Sequence, residues 1–347
     1  MAGERKAALS RLNVWFCLLV VLIHVLSEPV GALDHGSLQY ALVLIPQRLS
    51  FVAVPGFFLL SGLKLCLHEP KHMGRFYRKR ARAVLLPYLI AVAVYYLWFI
   101  HWGWFTFSLR DLGHYWLIGD VSSHFYFVVA LVQFILLTPL FLRWSRKYDP
   151  VVLLPLAVIV TWISVKYFGS LLALAIPGLE FPYNDRVFTS YLAYYLAGCC
   201  IGRNYEGFLA LLRRNRVLII AAAVAFALGD AAGSWITFSG KSVLPCLEEL
   251  HLSWEAWGVL LCFLGAVALD GRPLPKLLVR LDQVSYLVYL YHGLAITIFN
   301  VKVTRITDMG ARLILRAVFV YGVTIFICML WRVCAVKGIK IFRKEVH

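Results

Sequence analysis

The stretch NVWFCLLVVLIHVLSEPVG, residues 13–31, is almost all hydrocarbon, yet it carries an imidazole at His24 and a carboxylate at Glu28. An apolar run of that length reads as a membrane span. Ionisable groups inside lipid are costly and usually face a cavity or mark a functional path. The stretch therefore predicts both the fold class and a place to look for chemistry.

The rest of the chain has the same character. Of its 347 residues 61% are hydrophobic and 15% aromatic, and the mean hydropathy is +0.78, too apolar for a soluble domain of this size. We expect an all-α, polytopic membrane helix bundle with about ten transmembrane helices. The candidate spans lie roughly at 11–28, 47–67, 83–105, 124–142, 150–168, 188–203, 216–237, 253–269, 281–300 and 313–334. A cleaved leader in place of the first would leave nine spans and break the charge alternation, so the first stretch is kept as a span.

Lys and Arg accumulate in cytoplasmic loops, and with the N-terminus inside about 25 of the 34 basic residues fall on the cytoplasmic side. Both termini are then expected in the cytoplasm. Arg5, Lys6, Lys337, Lys340, Arg343 and Lys344 belong to that inner set. The net charge of +16 is mostly a topology signal, with anionic lipid headgroups as its plain partner. The basic residues are scattered over short loops and make no single stripe, which excludes nucleic-acid binding. Eight cysteines give neither a disulfide framework nor metal-ligand spacing. No loop is long enough to fold alone, so residues 1–347 are expected to form one membrane domain in the cell membrane. Its chemistry must then lie in the spans and short loops.

Depth selects among the polar groups. His24 lies thirteen residues past Arg11, about 20 Å along a helix, in the outer part of the first span. Pro29 disfavours helix at Glu28, so the span is expected to end there. Four residues apart, the two side chains share a face, and Glu28 could fix the imidazole tautomer and raise its basicity. That arrangement suits a general base or an acyl relay; it suits equally a histidine that merely hydrogen-bonds a neighbouring helix. His124, Asp230 and Glu255 lie in the outer half and His292 near the middle of its span; with Arg48 they are candidates to bind or deprotonate a hydroxyl. On the inner side, Arg75, Arg78, Lys79, Arg80 and Arg82 precede the third span. They serve topology, or dock a phosphorylated donor. Gly198-x-x-x-Gly202 and Ser61-Gly62 read as helix-packing devices.

Several stretches together resemble the integral-membrane acyltransferase 3 family of bacterial O-acyltransferases. They are LLVVLIHV in the first span, VPGFFLLSG at 54–62, FYRKRARAVLLPYL at 76–89, HFYFVVALVQFILLTPLF at 124–141, YYLAGCCIG at 194–202 and VSYLVYLYH at 284–292. The resemblance implies transfer of an acyl group, commonly acetyl, from a cytoplasmic acyl-CoA to a hydroxyl of an extracytoplasmic or lipid-linked glycan. The acyl-CoA would be a donor substrate, with no permanently bound cofactor. The family's essential first-span histidine maps onto His24, and its basic segment maps onto the run with Arg78, Arg80 and Arg82, which would hold the CoA phosphates. The family commonly has an arginine eleven residues before the histidine; here that position is Asn13. Positions 13 and 24 share a face roughly 16 Å apart, and Arg11 points nearly the opposite way. Either another arginine takes over at the donor site or the donor differs. The CoA arm would thread toward His24, with Arg48 or His124 donating to the tetrahedral intermediate. The main rival is a transporter or flippase for an anionic or glycan-lipid substrate, which would need the same cavity without chemistry. A sensor or structural partner is a third class.

Overall fold

The computed structural model describes residues 7–270 and 272–345, with side chains described through residue 334. Arg5 and Lys6 lie outside the described residues, as do the side chains of Lys337, Lys340, Arg343 and Lys344. The described residues hold helices and no strand. In chain order the helices are α1 (Ala7–Ala32), α2 (Leu38–Ser50), α3 (Ala53–Leu67), α4 (Met73–Arg80), α5 (Leu86–His101), α6 (Leu109–Ile118), α7 (Tyr126–Leu136) and α8 (Thr138–Lys147). They continue with α9 (Pro150–Ala175), α10 (Leu192–Arg203), α11 (Tyr205–Arg214), α12 (Arg216–Phe238), α13 (Leu247–Ala268), α14 (Lys276–Lys302) and α15 (Met309–Glu345). The protein is an all-α, multi-pass membrane protein.

Among the described residues, eight helical stretches are long and apolar enough to cross a bilayer, and the pair α6 and α7, bent by 54°, makes a ninth if counted as one span. The expected span at 188–203 is a 3₁₀ turn, Phe188–Tyr191, running into α10. Its sixteen residues reach about 26 Å, just under a bilayer core. The fourth span differs from expectation. Its apolar run stops at Leu136, α8 follows as a separate helix ending in Arg146 and Lys147, and α6 joins α7 at the other end.

Prolines account for the breaks. α2 and α3 form one stretch, Leu38–Leu67, interrupted at Phe51 and Val52. Pro55 has no N–H to give the Phe51 carbonyl, so that carbonyl takes the Val54 N–H at 3.2 Å, one residue early. Between α4 and α5 the residues Ala81–Leu85 wind as a π-turn, in which the Leu86 N–H reaches the Ala81 carbonyl. Pro87 withholds the next donor, and the wider turn accommodates its ring. The expected end of α1 at Glu28 is corrected: the helix runs through Pro29 to Ala32, and the Pro29 carbonyl accepts the Leu33 N–H. Pro29 withholds the N–H that would reach the Val25 carbonyl, but only one turn of helix follows it, and Glu28 is held from outside the helix.

Contacts group the chain into two compact units, Met1–Val54 with Leu212–His347, and Pro55–Leu211. In the first, α1 is the central helix, packed by α2, α13, α14 and α15. Side chains around its whole circumference are buried, including Leu12, Phe16, Val20 and Val25. α12 and α15 turn large apolar side chains outward, Leu228 and Phe326 each 67% exposed, as lipid-facing helices do. In the second unit an aromatic core of Phe58, Phe134, Phe141 and Tyr195 is fully or nearly buried. Its tightest contact joins α3 to α10. A Cβ at Gly198 would collide with the Leu59 carbonyl, one at Gly62 with the Tyr195 carbonyl, and one at Gly202 would lie 2.6 Å from the Leu63 carbonyl. The small residues at 62, 198 and 202 therefore let two backbones touch, as the sequence spacing suggested. Gly198→Val is expected to destabilise the protein by about 1–3 kcal/mol through forced separation of these helices, read as a lower melting temperature in detergent. Gly31→Ala, where nothing lies within 4 Å of the added carbon, is expected to change little.

Candidate active site

His24 lies on α1 and His292 on α14, two helices in direct contact in the first unit. Their rings are 5.1 Å apart between centroids and tilted by 45°. His292 is fully buried. Its Nδ1 lies 2.7 Å from the Tyr289 carbonyl, which can only accept, so Nδ1 carries the proton and a neutral His292 presents Nε2 as an acceptor. The structure thus brings together two residues that the sequence placed 268 positions apart.

Glu28 has a different partner from the one its spacing suggested. Its Oε1 accepts from Arg312 Nε at 2.8 Å, and its Oε2 pairs with Arg316, both on α15. Charge-assisted bonds to guanidinium groups hold a carboxylate more strongly than a neutral imidazole does. Arg316 also donates from Nη2 to the His24 carbonyl at 3.3 Å, so it joins Glu28 to the backbone of His24. Arg312 further donates to the Val303 carbonyl and stands over the Phe299 ring. Neither arginine was singled out from the sequence. The signal was present, since RLILRAVF puts two guanidiniums one turn apart at the start of an otherwise apolar span.

Asn13 lies nearer the other end of α1. Its Nδ2 donates to Asp282 Oδ1 at 2.8 Å and to Ser285 Oγ at 2.7 Å, while Ser10 donates to Asp282 Oδ2 at 3.0 Å. Arg11 points elsewhere, to the Arg272 carbonyl at 2.7 Å and to Asp270 at 3.5 Å, in keeping with its place on another face.

Arg48 and Asp230 meet each other. Arg48 Nη2 is 3.3 Å from Asp230 Oδ1 and its Nε donates to Ser234 at 3.1 Å. His251 Nδ1 is 3.0 Å from Asp230 Oδ2, and its Nε2 is 3.6 Å from Glu255. This buried chain of charges ties α2, α12 and α13 together. His251 was missed in the sequence; its spacing of four from Glu255 was the available signal.

The remaining candidates belong to the second unit. His124 is buried, with Nδ1 3.1 Å from Ser122 Oγ and its ring against Phe125 and Tyr95. Arg75, Arg78, Lys79 and Arg82 recur at helical spacing and line an open pocket of about 420 Å³. No acidic side chain pairs with these four among the described residues. By contrast Arg146 and Arg203, from α8 and α10, both pair with Glu69. Arg80 departs from the group: it stacks on Phe76 and lines a separate, mostly apolar cleft with Tyr77, Val84 and Leu136. The face is suited to a phosphate-bearing ligand. Among the described residues no cluster of His, Cys, Asp and Glu could hold a metal ion.

A histidine pair and an ionic clamp thus lie together inside helices made for lipid. The chain belongs to the family described as Acyltransferase domain, whose model matches residues 8–332, and it is a membrane acyltransferase. It is 24% identical over 313 residues to YfiQ of Bacillus subtilis (strain 168), a protein named provisionally as a membrane-bound acyltransferase; the match covers 85% of this chain and 82% of that one. It is 23% identical over 220 residues to proteins of Staphylococcus aureus strains MRSA252 and MSSA476, named provisionally for export of poly-beta-1,6-N-acetyl-D-glucosamine. Those matches cover 62% of this chain and 61% of theirs. No solved structure matches the chain at a significant level.

Glu28→Ala would leave two guanidiniums facing each other in a half-buried site. It is expected to cost about 3–5 kcal/mol, seen as a drop in melting temperature in detergent, whereas Ser27→Ala beside it shifts the melt by a degree or less.

Proposed function

We propose that this acyltransferase moves an acetyl group from acetyl-CoA to a hydroxyl of an extracytoplasmic or lipid-linked glycan, with His24 as the general base. The observation that carries the reading is the pairing of His24 with a buried His292 whose tautomer is set by the Tyr289 carbonyl. A basic nitrogen in a low-dielectric site can take the proton of a hydroxyl as its oxygen attacks the thioester carbon. The C–S bond then breaks, and the departing thiolate recovers the proton from His24. The exchange is balanced: an ester and a free thiol form, with no net proton released.

The donor's phosphates fit the cationic face of Arg75, Arg78, Lys79 and Arg82. Arg80, turned onto Phe76, is the weaker candidate for that role. Asn13, bonded to Asp282 and Ser285, supplies no charge to a donor, so we assign the phosphate contacts to the basic face alone. Cations gather on the cytoplasmic side of membrane proteins, which suits a CoA thioester and a topology with both termini in the cytoplasm. The staphylococcal relatives, named for export of an amino-sugar polymer, support a glycan acceptor. They also keep open the second reading, transport of a glycan lipid without acyl transfer.

Product analysis separates the two. Membranes given ¹⁴C-acetyl-CoA are expected to place label in glycan ester, and His24→Ala is expected to lower that rate by at least 100-fold. Transfer at the wild-type rate by His24→Ala excludes the mechanism, and movement of glycan with no new ester establishes transport instead. Arg78→Glu with Arg82→Glu is expected to raise the KM for acetyl-CoA by about 10-fold or more, with a smaller change in kcat; an unchanged KM removes this face from the donor site.

A further inference from the structure

The clamp beside His24 holds more positive charge than its carboxylate balances. Arg312 and Arg316 share the single carboxylate of Glu28. Asp308, the next nearest acid in sequence, caps the start of α15 through the Ala311 N–H at 2.7 Å and makes no ion pair with either arginine among the described residues. Arg312 also stands in the first turn of α15, where the helix dipole is itself positive.

Arg316 is the more deeply buried of the two, with its side chain 4% exposed against 13% for Arg312. Its Nη1 meets Glu28 and its Nη2 meets the His24 carbonyl, while its Nε is buried and has no hydrogen-bond partner among the described residues. A buried charged donor without an acceptor is costly, and it persists where a negative charge visits the site. Arg48 and His124, suggested earlier as donors to the intermediate, are engaged with Asp230 and Ser234 in one case and Ser122 in the other.

We infer that Arg316 receives the carbonyl oxygen of the acyl group beside His24 and stabilises the oxyanion formed when the acceptor hydroxyl attacks. The inference rests on the acyl-transfer reading above and adds to it a named electrostatic residue. In the step, the hydroxyl proton passes to His24, the new C–O bond forms, and the carbonyl π electrons move onto oxygen against the guanidinium. When the oxyanion collapses, the C–S bond breaks and the charge leaves Arg316 with the thiolate, which is then protonated. Arg312 keeps Glu28 neutralised throughout, so the acyl oxygen competes with no second carboxylate for Arg316.

The test is steady-state transfer of ¹⁴C-acetyl from acetyl-CoA to cell-surface glycan, comparing wild type, Arg316→Gln, Arg316→Lys and Arg312→Gln in detergent or nanodiscs. Removing one oxyanion donor typically lowers kcat by 10²–10³-fold. Arg316→Gln is expected to fall in that range with the KM for acetyl-CoA within about threefold, Arg316→Lys to recover about a tenth of the rate, and Arg312→Gln to lose less than 10-fold. Because Arg312 still pairs with Glu28 in Arg316→Gln, that variant leaves no unpaired carboxylate, and its melting temperature reports whether it folds. Added guanidinium at millimolar concentration is expected to restore part of the activity of Arg316→Ala, which a purely structural role would not allow. Arg316→Gln with kcat within threefold of wild type, or an equal loss in Arg312→Gln, overturns the inference. Wild type that forms no ester overturns the acyl-transfer reading itself, so the two failures are distinct.

Discussion

Glu28 between Arg312 and Arg316 is the interaction on which the site depends. A carboxylate near the end of a lipid-spanning helix must be neutralised, and here the neutralising groups come from a helix almost 300 residues later in the chain. The pairing draws α15 against α1 at the level of His24, and the Arg316 bond to the His24 carbonyl fixes that turn of backbone. With α1 so held, the imidazole of His24 meets His292 on α14. Two helices, α14 and α15, thus converge on the histidine of α1, each by a contact that hydrocarbon packing alone would not select. Lipid has no preference among the rotations of an apolar helix, so polar contacts of this kind decide which face looks inward.

The fold class was legible because lipid imposes length and hydropathy on each span separately. The small residues at 62, 198 and 202 were legible for the same local reason, since a close backbone approach needs glycine at a helical spacing. The breaks were less so. Pro29 predicted the end of α1 where the helix in fact continues, while Pro55 and Pro87 altered hydrogen-bonding registers in ways that hydropathy does not record. A proline removes one donor; whether the helix stops depends on how many turns remain and on what holds the next residues.

The candidate site was legible in its members and opaque in their pairing. His24, Glu28, Arg48, Asp230 and His292 stand out because ionisable groups are rare in spans. Spacing along α1 joined His24 to Glu28, but a partner four residues away competes with every helix packed alongside, and a guanidinium bonds a carboxylate better than a neutral imidazole does. Arg312 and Arg316 escaped notice because they stand near the start of the last span, where basic residues are ordinarily read as flanking charge. Distance in sequence hid the clamp; nothing in the local pattern of α15 says which carboxylate it serves.

The same reasoning explains how position 13 can be an amide. An arginine there would enter a site already supplied with short bonds from Ser10 and Ser285 around Asp282. Asn13 satisfies Asp282 Oδ1 and Ser285 Oγ with one amino group, tying α1 to α14 near the end of the helix opposite His24. α1 is therefore pinned at two levels, by a hydrogen-bonded cluster around the Asp282 carboxylate at Asn13 and by paired guanidiniums at Glu28. Between them run Val14, Phe16, Val20 and Val25, each nearly or fully buried, so the helix has little freedom to rotate. At the level of His24, two guanidiniums share one carboxylate. At the level of Asn13, amide and hydroxyl groups gathered around the Asp282 carboxylate do the positioning.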